Sequence, residues 1–447
     1  MALDRIFKAY DVRGVYPEEL DEDAARRIGT AFAQFTGAPA VVVGRDARPS
    51  SPSLAASFTE GVTSRGTGVV DIGLSTTDML YFASGRLDLP GAMFTASHNP
   101  ARYNGLKLCR EGAAPVGEDS GLQEVRVLAE RDPGPAAAAP GTAESRDMLE
   151  EYVDHVVSFV DRGAMAPLTV VADAANGMAG LVLPQIFGRL PCKLVGLYLE
   201  LDGTFPNHPA DPIQPENQED LRRAVIEHGA DIGLAFDGDA DRVFVVDEQA
   251  RGVSGSLITA LVAEVMLERE PGAKIIHNLI TSWVVPEVVR EKGGEPIRTR
   301  VGHSFIKKVM AETGAIFGGE HSGHYYFRDH YRADSGIIAA LMVLDRLSRA
   351  GVPLSRLLEP YQRYHASGEI NSEVEDQAAA IMHVAAAFAD GRADRTDGLT
   401  VEYDDWWFNV RPSNTEPLLR LNVEARTSEL LEEKTAAVLN VIRGDTT

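Results

Sequence analysis

The sequence has 447 residues, 44% hydrophobic and 24% charged, the composition of a globular protein with ample core. Its net charge of −23 repels nucleic acid and anionic lipid, so neither nucleic acid nor a membrane is expected as a partner. No apolar run reaches the roughly 18 residues that span a bilayer. MALDRIFKAYDVRG lacks a basic-then-apolar leader, and Cys109 and Cys192 are too few for a disulfide framework, so a cytoplasmic protein is expected. The same acidic field repels phosphorylated ligands, and any phosphate site must be a local basic pocket set against it.

Length alone predicts about three domains. In chain order, RIFKAYDVRGVY (5–16) starts apolar and aromatic and ends in a Gly turn carrying Arg13. Ala24, Ile28, Phe32 and Phe35 then recur at helical spacing. Residues 40–43 read as a buried strand ending in Gly44-Arg45-Asp46 and a Ser-rich turn, and 69–73 repeat that cadence. The run GAMFTASHNPARYNGLKL follows. Met93 and Phe94 deliver Ser97 into a turn that Asn99-Pro100 enforces, with His98 and Lys107 close by in sequence. Alone, Ser-x-Asn-Pro also reads as a capped polar turn.

The Pro/Gly/Ala-rich stretch 132–143 is linker-like. Beyond it come a helix at Leu149, Tyr152 and Val156, a strand 168–172 ending in Asp173-Ala174-Ala175-Asn176-Gly177, and a strand 231–236 running into Asp237-Gly238-Asp239-Ala240-Asp241-Arg242. A third block holds a helix 255–269 with Leu257, Leu261 and Val265 on one face, a strand 274–277 and a helix 336–348. The fourth ends in RPSNTEP (411–417) and an alternating strand 419–423. Strand, polar turn and helix recur in the first three blocks, predicting three related α/β domains and a different fourth, divided as 1–144, 145–248, 249–360 and 361–447.

Asp237, Asp239 and Asp241 alternate on a loop that leaves a buried strand, and crowded carboxylates of this kind suit a hard cation such as Mg²⁺. An EF-hand is excluded because Arg242 stands where its sixth-position glycine is required and the following RVFVVD reads as strand. In RPSNTEP, Arg411 can pair bidentately with phosphate while Ser413, Asn414 and Thr415 add donors, and Arg420 stands nearby. In GGEHSGH, Glu320 and Ser322 offer a carboxylate and a hydroxyl suited to a sugar, and His303 and Lys307 are expected in the same pocket.

Taken together, FKAYDVRG, TASHNP, DGDADR, GGEHSGH and RPSNTEP, in that order over nearly the whole chain, resemble the α-D-phosphohexomutase family, in its phosphomannomutase/phosphoglucomutase branch. Phosphoglucosamine mutases usually have a Gly-Thr-Asp-Gly type segment where this chain has Ala9-Tyr10-Asp11, and tend to carry Gly at the position of Asn414. They also tend to carry Gln at the position of His321, which departs from the hexose branch as well. The resemblance implies three mixed α/β domains and a smaller C-terminal α+β domain around a central cleft. It implies that Ser97 carries the phosphoryl group and that Asp237, Asp239 and Asp241 hold Mg²⁺ with it. Glu320 and Ser322 would grip sugar hydroxyls, and Arg411, Ser413, Asn414 and Thr415 the non-reacting phosphate. Tyr10, Arg13, His98, Lys107, Arg242, His303 and His324 would surround the reaction, Lys107 as general acid/base.

The implied activity moves a phosphoryl group between C1 and C6 of mannose and glucose phosphates through a hexose 1,6-bisphosphate, which also serves as activator. The alternatives are a phosphoglucosamine mutase and a Mg²⁺-dependent sugar phosphatase using the same carboxylates.

Overall fold

The computed structural model describes residues 3–132, 134–413 and 418–444. Its first three sheets repeat one plan. In the first, Ala40–Arg45, Gly68–Leu74 and Gly91–Phe94 run parallel, and Gly91–Phe94 turns back into antiparallel Tyr103–Arg110. In the second, Thr169–Asp173, Lys193–Leu197 and Ile232–Phe236 are parallel, and Ile232–Phe236 turns back into Val243–Asp247. In the third, Lys274–Asn278, Glu295–Thr299 and Phe317–Gly319 are parallel, and Phe317–Gly319 turns back into Tyr325–Phe327. Each time the third strand crosses over to pair with the first, so the returning strand lies beyond it. The turn leaving that third strand therefore emerges at the carboxyl end of the parallel strands, where α/β sheets place ligands. Those turns carry Ser97, the Asp237–Asp241 run and the Glu320–His324 run.

One strand straddles the expected division after residue 144, and another lies just past the one after residue 248. Ala143–Ser145 pairs with Gly68–Leu74 in the first sheet, and Gly252–Val253 pairs with Val243–Asp247 in the second. The fourth sheet is antiparallel, in the order His365–Glu373, Leu418–Ala425, Trp406–Pro412, Leu399–Glu402 and Arg392–Asp394. Helices Gln377–Ala387 and Ser428–Arg443 accompany it. Among the described residues, no helix is long and apolar enough to cross a membrane.

Most predicted elements form where the pattern places them. Helix Glu22–Thr36 starts where the Asp21 carboxylate accepts the Ala24 amide, stops at left-handed Gly37, and buries Ala24, Ile28 and Phe32. Two readings change. Arg13 lies within the strand Val12–Val15, paired with Tyr103–Arg110, where a Gly turn was expected. Helix Gly255–Arg269 is buried over nearly its whole surface. The stripe through Leu257, Leu261 and Val265 understated it because neighbouring helices and the third sheet pack around it.

One continuous apolar core runs through the first three sheets, from Val42 and Met93 through Val170 and Phe236 to Ile275 and Phe317. The fourth sheet has its own core around Phe408, Leu421 and Val438. Asp78 pins the shared core. It is fully buried at the start of helix Thr77–Leu87, and its carboxylate accepts hydrogen bonds from Thr76, from Tyr152 (2.7 Å) and from Ser335. These donors come from three regions far apart in the chain. Asp78→Ala leaves them without an acceptor, at a cost of about 3 kcal/mol. Thermal unfolding monitored by circular dichroism should show a midpoint lowered by several degrees.

Candidate active site

The turn after Gly91–Phe94 holds Ser97 in a left-handed backbone conformation (φ 49°), 4% exposed. Its hydroxyl donates to Asp237 Oδ2 at 2.7 Å. Arg242 Nη2 stands 3.3 Å from Ser97 Oγ, and His98 Nδ1 3.2 Å from it. Arg242 also donates to His98 Nδ1 at 2.6 Å and, through Nε, to Asp237 Oδ2 at 2.9 Å. Because a guanidinium can only donate, His98 Nδ1 is an acceptor and the imidazole proton sits on Nε2. Burial, then Arg242 and Arg13, pull the His98 pKa well below the usual histidine range, which keeps the ring neutral.

Lys107 crosses from the first sheet to the acidic turn of the second. Its ammonium lies 2.9 Å from Asp239 Oδ2 and contacts Asp241 Oδ2. Burial opposes that charge, but Asp239 and Asp241 outweigh it and hold the Lys107 pKa well above the usual lysine range. Burial likewise opposes ionisation of Asp239, yet Lys107 and the Thr77 hydroxyl (2.6 Å) bring its pKa below the carboxylate range. Asp237 goes the other way. Burial, against Arg242 and with Asp241 and Asp239 adding to it, pushes Asp237 up to about 7.

The acidic turn fits a divalent cation. One oxygen from each of Asp237, Asp239 and Asp241 lies within 4.8 Å of the others, and Oδ1 of Asp239 and Oδ1 of Asp241 are buried without a hydrogen bond. Three carboxylates face two cations, Lys107 and Arg242, so the pocket is short of positive charge. The two turns touch directly. A Cβ on Gly238 would lie 2.4 Å from the Ser97 carbonyl oxygen. The Asp173–Gly177 turn supports the acidic one from behind, the Met178 amide donating to the Gly238 carbonyl at 2.9 Å.

Arg48, which the sequence reading missed, holds the serine turn in shape. It is 1% exposed. Its guanidinium donates to the carbonyls of Ser97 (2.7 Å), Asn99 (2.8 Å), Pro100 (2.8 Å) and Tyr103 (3.0 Å), and to Asp46 (3.0 Å). The available signal was a basic residue at the end of a buried strand in an acidic chain. Arg13 braces the same turn by donating to Asn99 Oδ1 and Asp11.

On the third sheet, Glu320 is buried, and its carboxylate accepts from Tyr326 OH (2.7 Å), Asn278 Nδ2 (2.9 Å) and the Gly302 amide (3.3 Å), which leaves Oε2 with a single protein donor among the described residues. These three donors fix the orientation of the carboxylate. Through Gly302 it joins the Glu320–His324 turn to the start of helix His303–Thr313. Ser322 lies on that turn, half-buried. His324 Nδ1 lies 2.9 Å from Asp334 and 3.9 Å from Asp241, bringing the third sheet to the acidic turn. Burial opposes its charge, but Asp241 and Asp334 raise its pKa. Lys307 does not join Glu320. It is buried 2.7 Å from Asp334 and over the Tyr81 ring, because the far face of its helix packs on the first sheet.

Tyr10 reaches the Val301 carbonyl at 3.4 Å, joining the first unit to the third. Arg411 and Arg420 face one another on neighbouring strands of the fourth sheet, with Arg420 Nη2 3.4 Å from Ser413 Oγ. Asn414 and Thr415 lie outside the described residues.

The phosphoglucomutase/phosphomannomutase α/β/α domains I, II and III match residues 4–132, 150–252 and 254–364, and that family's C-terminal domain matches 369–441. The chain belongs to the phosphoglucomutase/phosphomannomutase family. It is 44% identical to a phosphomannomutase of Salmonella montevideo over 98% of both chains. It is 43% identical to a protein of Xanthomonas campestris pv. campestris named for phosphohexose mutases, over 98% of this chain and 99% of the other. A crystal structure of a family protein from Burkholderia thailandensis, 35% identical, superposes with a TM-score of 0.90 over 100% of this chain and 99% of that one. The chain is thus an isomerase, a phosphohexose mutase, with the four-domain architecture of its family.

Two substitutions test how tightly the serine turn is held. Arg48→Lys keeps the charge but cannot reach four carbonyls and a carboxylate together, so kcat/KM should fall about a hundredfold with little change in KM. Gly238→Ala should do the same by pushing the two turns apart, while circular dichroism stays native.

Proposed function

We propose that this mutase interconverts the 1- and 6-phosphates of mannose and glucose, with Ser97 as the phosphoryl carrier and a hexose 1,6-bisphosphate as intermediate. The observation that carries this reading is the Ser97 hydroxyl, held between the Asp237 carboxylate and the Arg242 guanidinium at the meeting of two sheets. In the first half-reaction the bond between phosphorus and Ser97 Oγ breaks and one to the free sugar hydroxyl forms. The proton of that hydroxyl ends on Ser97 Oγ. In the second half the bisphosphate has turned end for end, the bond between phosphorus and the other sugar oxygen breaks as one to Ser97 Oγ forms, and the Ser97 proton ends on the freed sugar oxygen.

Asp237, Asp239 and Asp241 would hold Mg²⁺ together with the phosphoserine, and the ion supplies neutralisation of the phosphoryl charge when bound. Lys107 enters the reaction as an ammonium, because Asp239 and Asp241 favour its charged form. It therefore serves first to neutralise and to donate a proton, and as a base only after surrendering one. Neutral His98 accepts from Arg242 and so orients that guanidinium toward Ser97.

Arg411, Ser413, Arg420, Asn414 and Thr415 would take the non-reacting phosphate. Glu320 and Ser322 would read hydroxyls near the middle of the ring, with Tyr10, Arg13, His303 and His324 around them. The C3 and C4 hydroxyls overlay after the turn, so a site that reads them tolerates the C2 epimer. The separate core of the fourth sheet suits closure by that unit over the cleft, which excludes water from the phosphoserine.

A coupled assay with mannose 1-phosphate and glucose 1-phosphate, Mg²⁺ and catalytic glucose 1,6-bisphosphate tests the reading. Both 6-phosphates should form without free phosphate, and a chelator should stop turnover. Ser97→Ala should reduce kcat by at least a thousandfold while remaining folded. Stoichiometric free phosphate would instead identify a phosphatase, and turnover of glucosamine phosphate alone would identify that branch.

A further inference from the structure

Arg411 and Arg420 are direct cross-strand partners, an arrangement in which two like charges repel. A carboxylate lies between them. Glu369, on the strand His365–Glu373, places Oε2 2.8 Å from Arg411 Nη2 and Oε1 3.3 Å from Arg420 Nη1. The backbone is shaped for this. The ladder to Leu418–Ala425 slips between Ala366 and Glu369, and left-handed Gly368 (φ 69°) lies in the slip. A bulge of this kind re-aims the next side chain. The match is incomplete, since Nε of Arg411 and Nε of Arg420 are buried without an acceptor among the described residues. An anion with three oxygens offers more acceptors to this pair than a carboxylate does.

We propose that Glu369 is a built-in competitor for the phosphate site. Its carboxylate occupies Arg411 and Arg420 when no phosphate is bound, gives them up to the non-reacting phosphate of the substrate, and retakes them as that phosphate leaves. The inference rests on the reading of Arg411 as a phosphate ligand. Its consequence is kinetic. A mutase of this kind must let a bisphosphate go in mid-cycle so that it can turn. Binding that is equally tight for substrate and intermediate would slow that release without helping the chemistry. An internal anion weakens both and keeps the two arginines neutralised during the turn. Glu369 is thus a positioning residue that sets how strongly the site holds phosphate.

Glu369→Gln, which keeps the shape and one acceptor oxygen, tests this with inorganic phosphate as the probe, titrated calorimetrically without sugar. Phosphate should bind at least fivefold tighter than to the parent protein. Glu433→Gln makes the same change in net charge at an exposed position of helix Ser428–Arg443 and should shift binding less than twofold. In turnover, KM for glucose 1-phosphate should fall and kcat should fall with it, as release slows. Thermal melts with and without phosphate give a readout independent of catalysis, and the phosphate-induced rise should be larger in Glu369→Gln. Unchanged or weaker phosphate binding in Glu369→Gln, while Arg411→Ala abolishes binding, would overturn the proposal and leave the phosphate site standing. No effect of Arg411→Ala would overturn both.

Discussion

Charge crowded into a buried space governs this molecule. Asp237, Asp239 and Asp241 leave one strand within five residues of one another, and all three are buried. Carboxylates so placed are tolerable only with cations against them. Lys107 comes from the first sheet and Arg242 from the acidic turn itself, and both are nearly buried as well. The sheets cannot separate without exposing charge that is matched only when they meet. A phosphoryl group on Ser97 would add more negative charge at the same point, and a cation seated among the carboxylates would compensate for it. Assembly of the first two units and readiness for phosphoryl transfer are therefore one electrostatic problem.

The repeated topology solves it geometrically. Each of the first three sheets sends out its functional turn from the parallel strand that turns back into an antiparallel partner, at the same end of the parallel strands. Because the three share a continuous apolar core, their turns are delivered to one place by packed elements. The fourth sheet has a separate core and carries Arg411 and Arg420 as cross-strand neighbours. Rigid presentation of the serine and the acids, with the proposed phosphate site built on a separate unit, suits the proposed reaction, in which a bisphosphate would be released, turned and held again.

Much of this was legible in the sequence because chemistry there is local. DGDADR, TASHNP and the strand-turn-helix cadence are contiguous, and their side chains converge as their types suggest. What escaped was long-range. Arg48 looks like one more polar residue in a turn until its five hydrogen bonds place it beneath Ser97. Glu369 sits on a largely polar strand whose bulge, invisible to alternation, aims it at two arginines. Lys107 was legible as a participant, but its charge state depends on two carboxylates more than a hundred residues away. That the first three units are related was legible in the recurring cadence, but the strand order they share, with the third strand crossing over to pair with the first, was not.

The most direct test of the account is to treat the purified protein with glucose 1,6-bisphosphate and locate the transferred phosphoryl group by peptide mass spectrometry. The account requires one phosphoryl group per chain, on Ser97, discharged when glucose 6-phosphate is added. Turnover with Ser97 unmodified, or with the phosphoryl group on another residue, would contradict it.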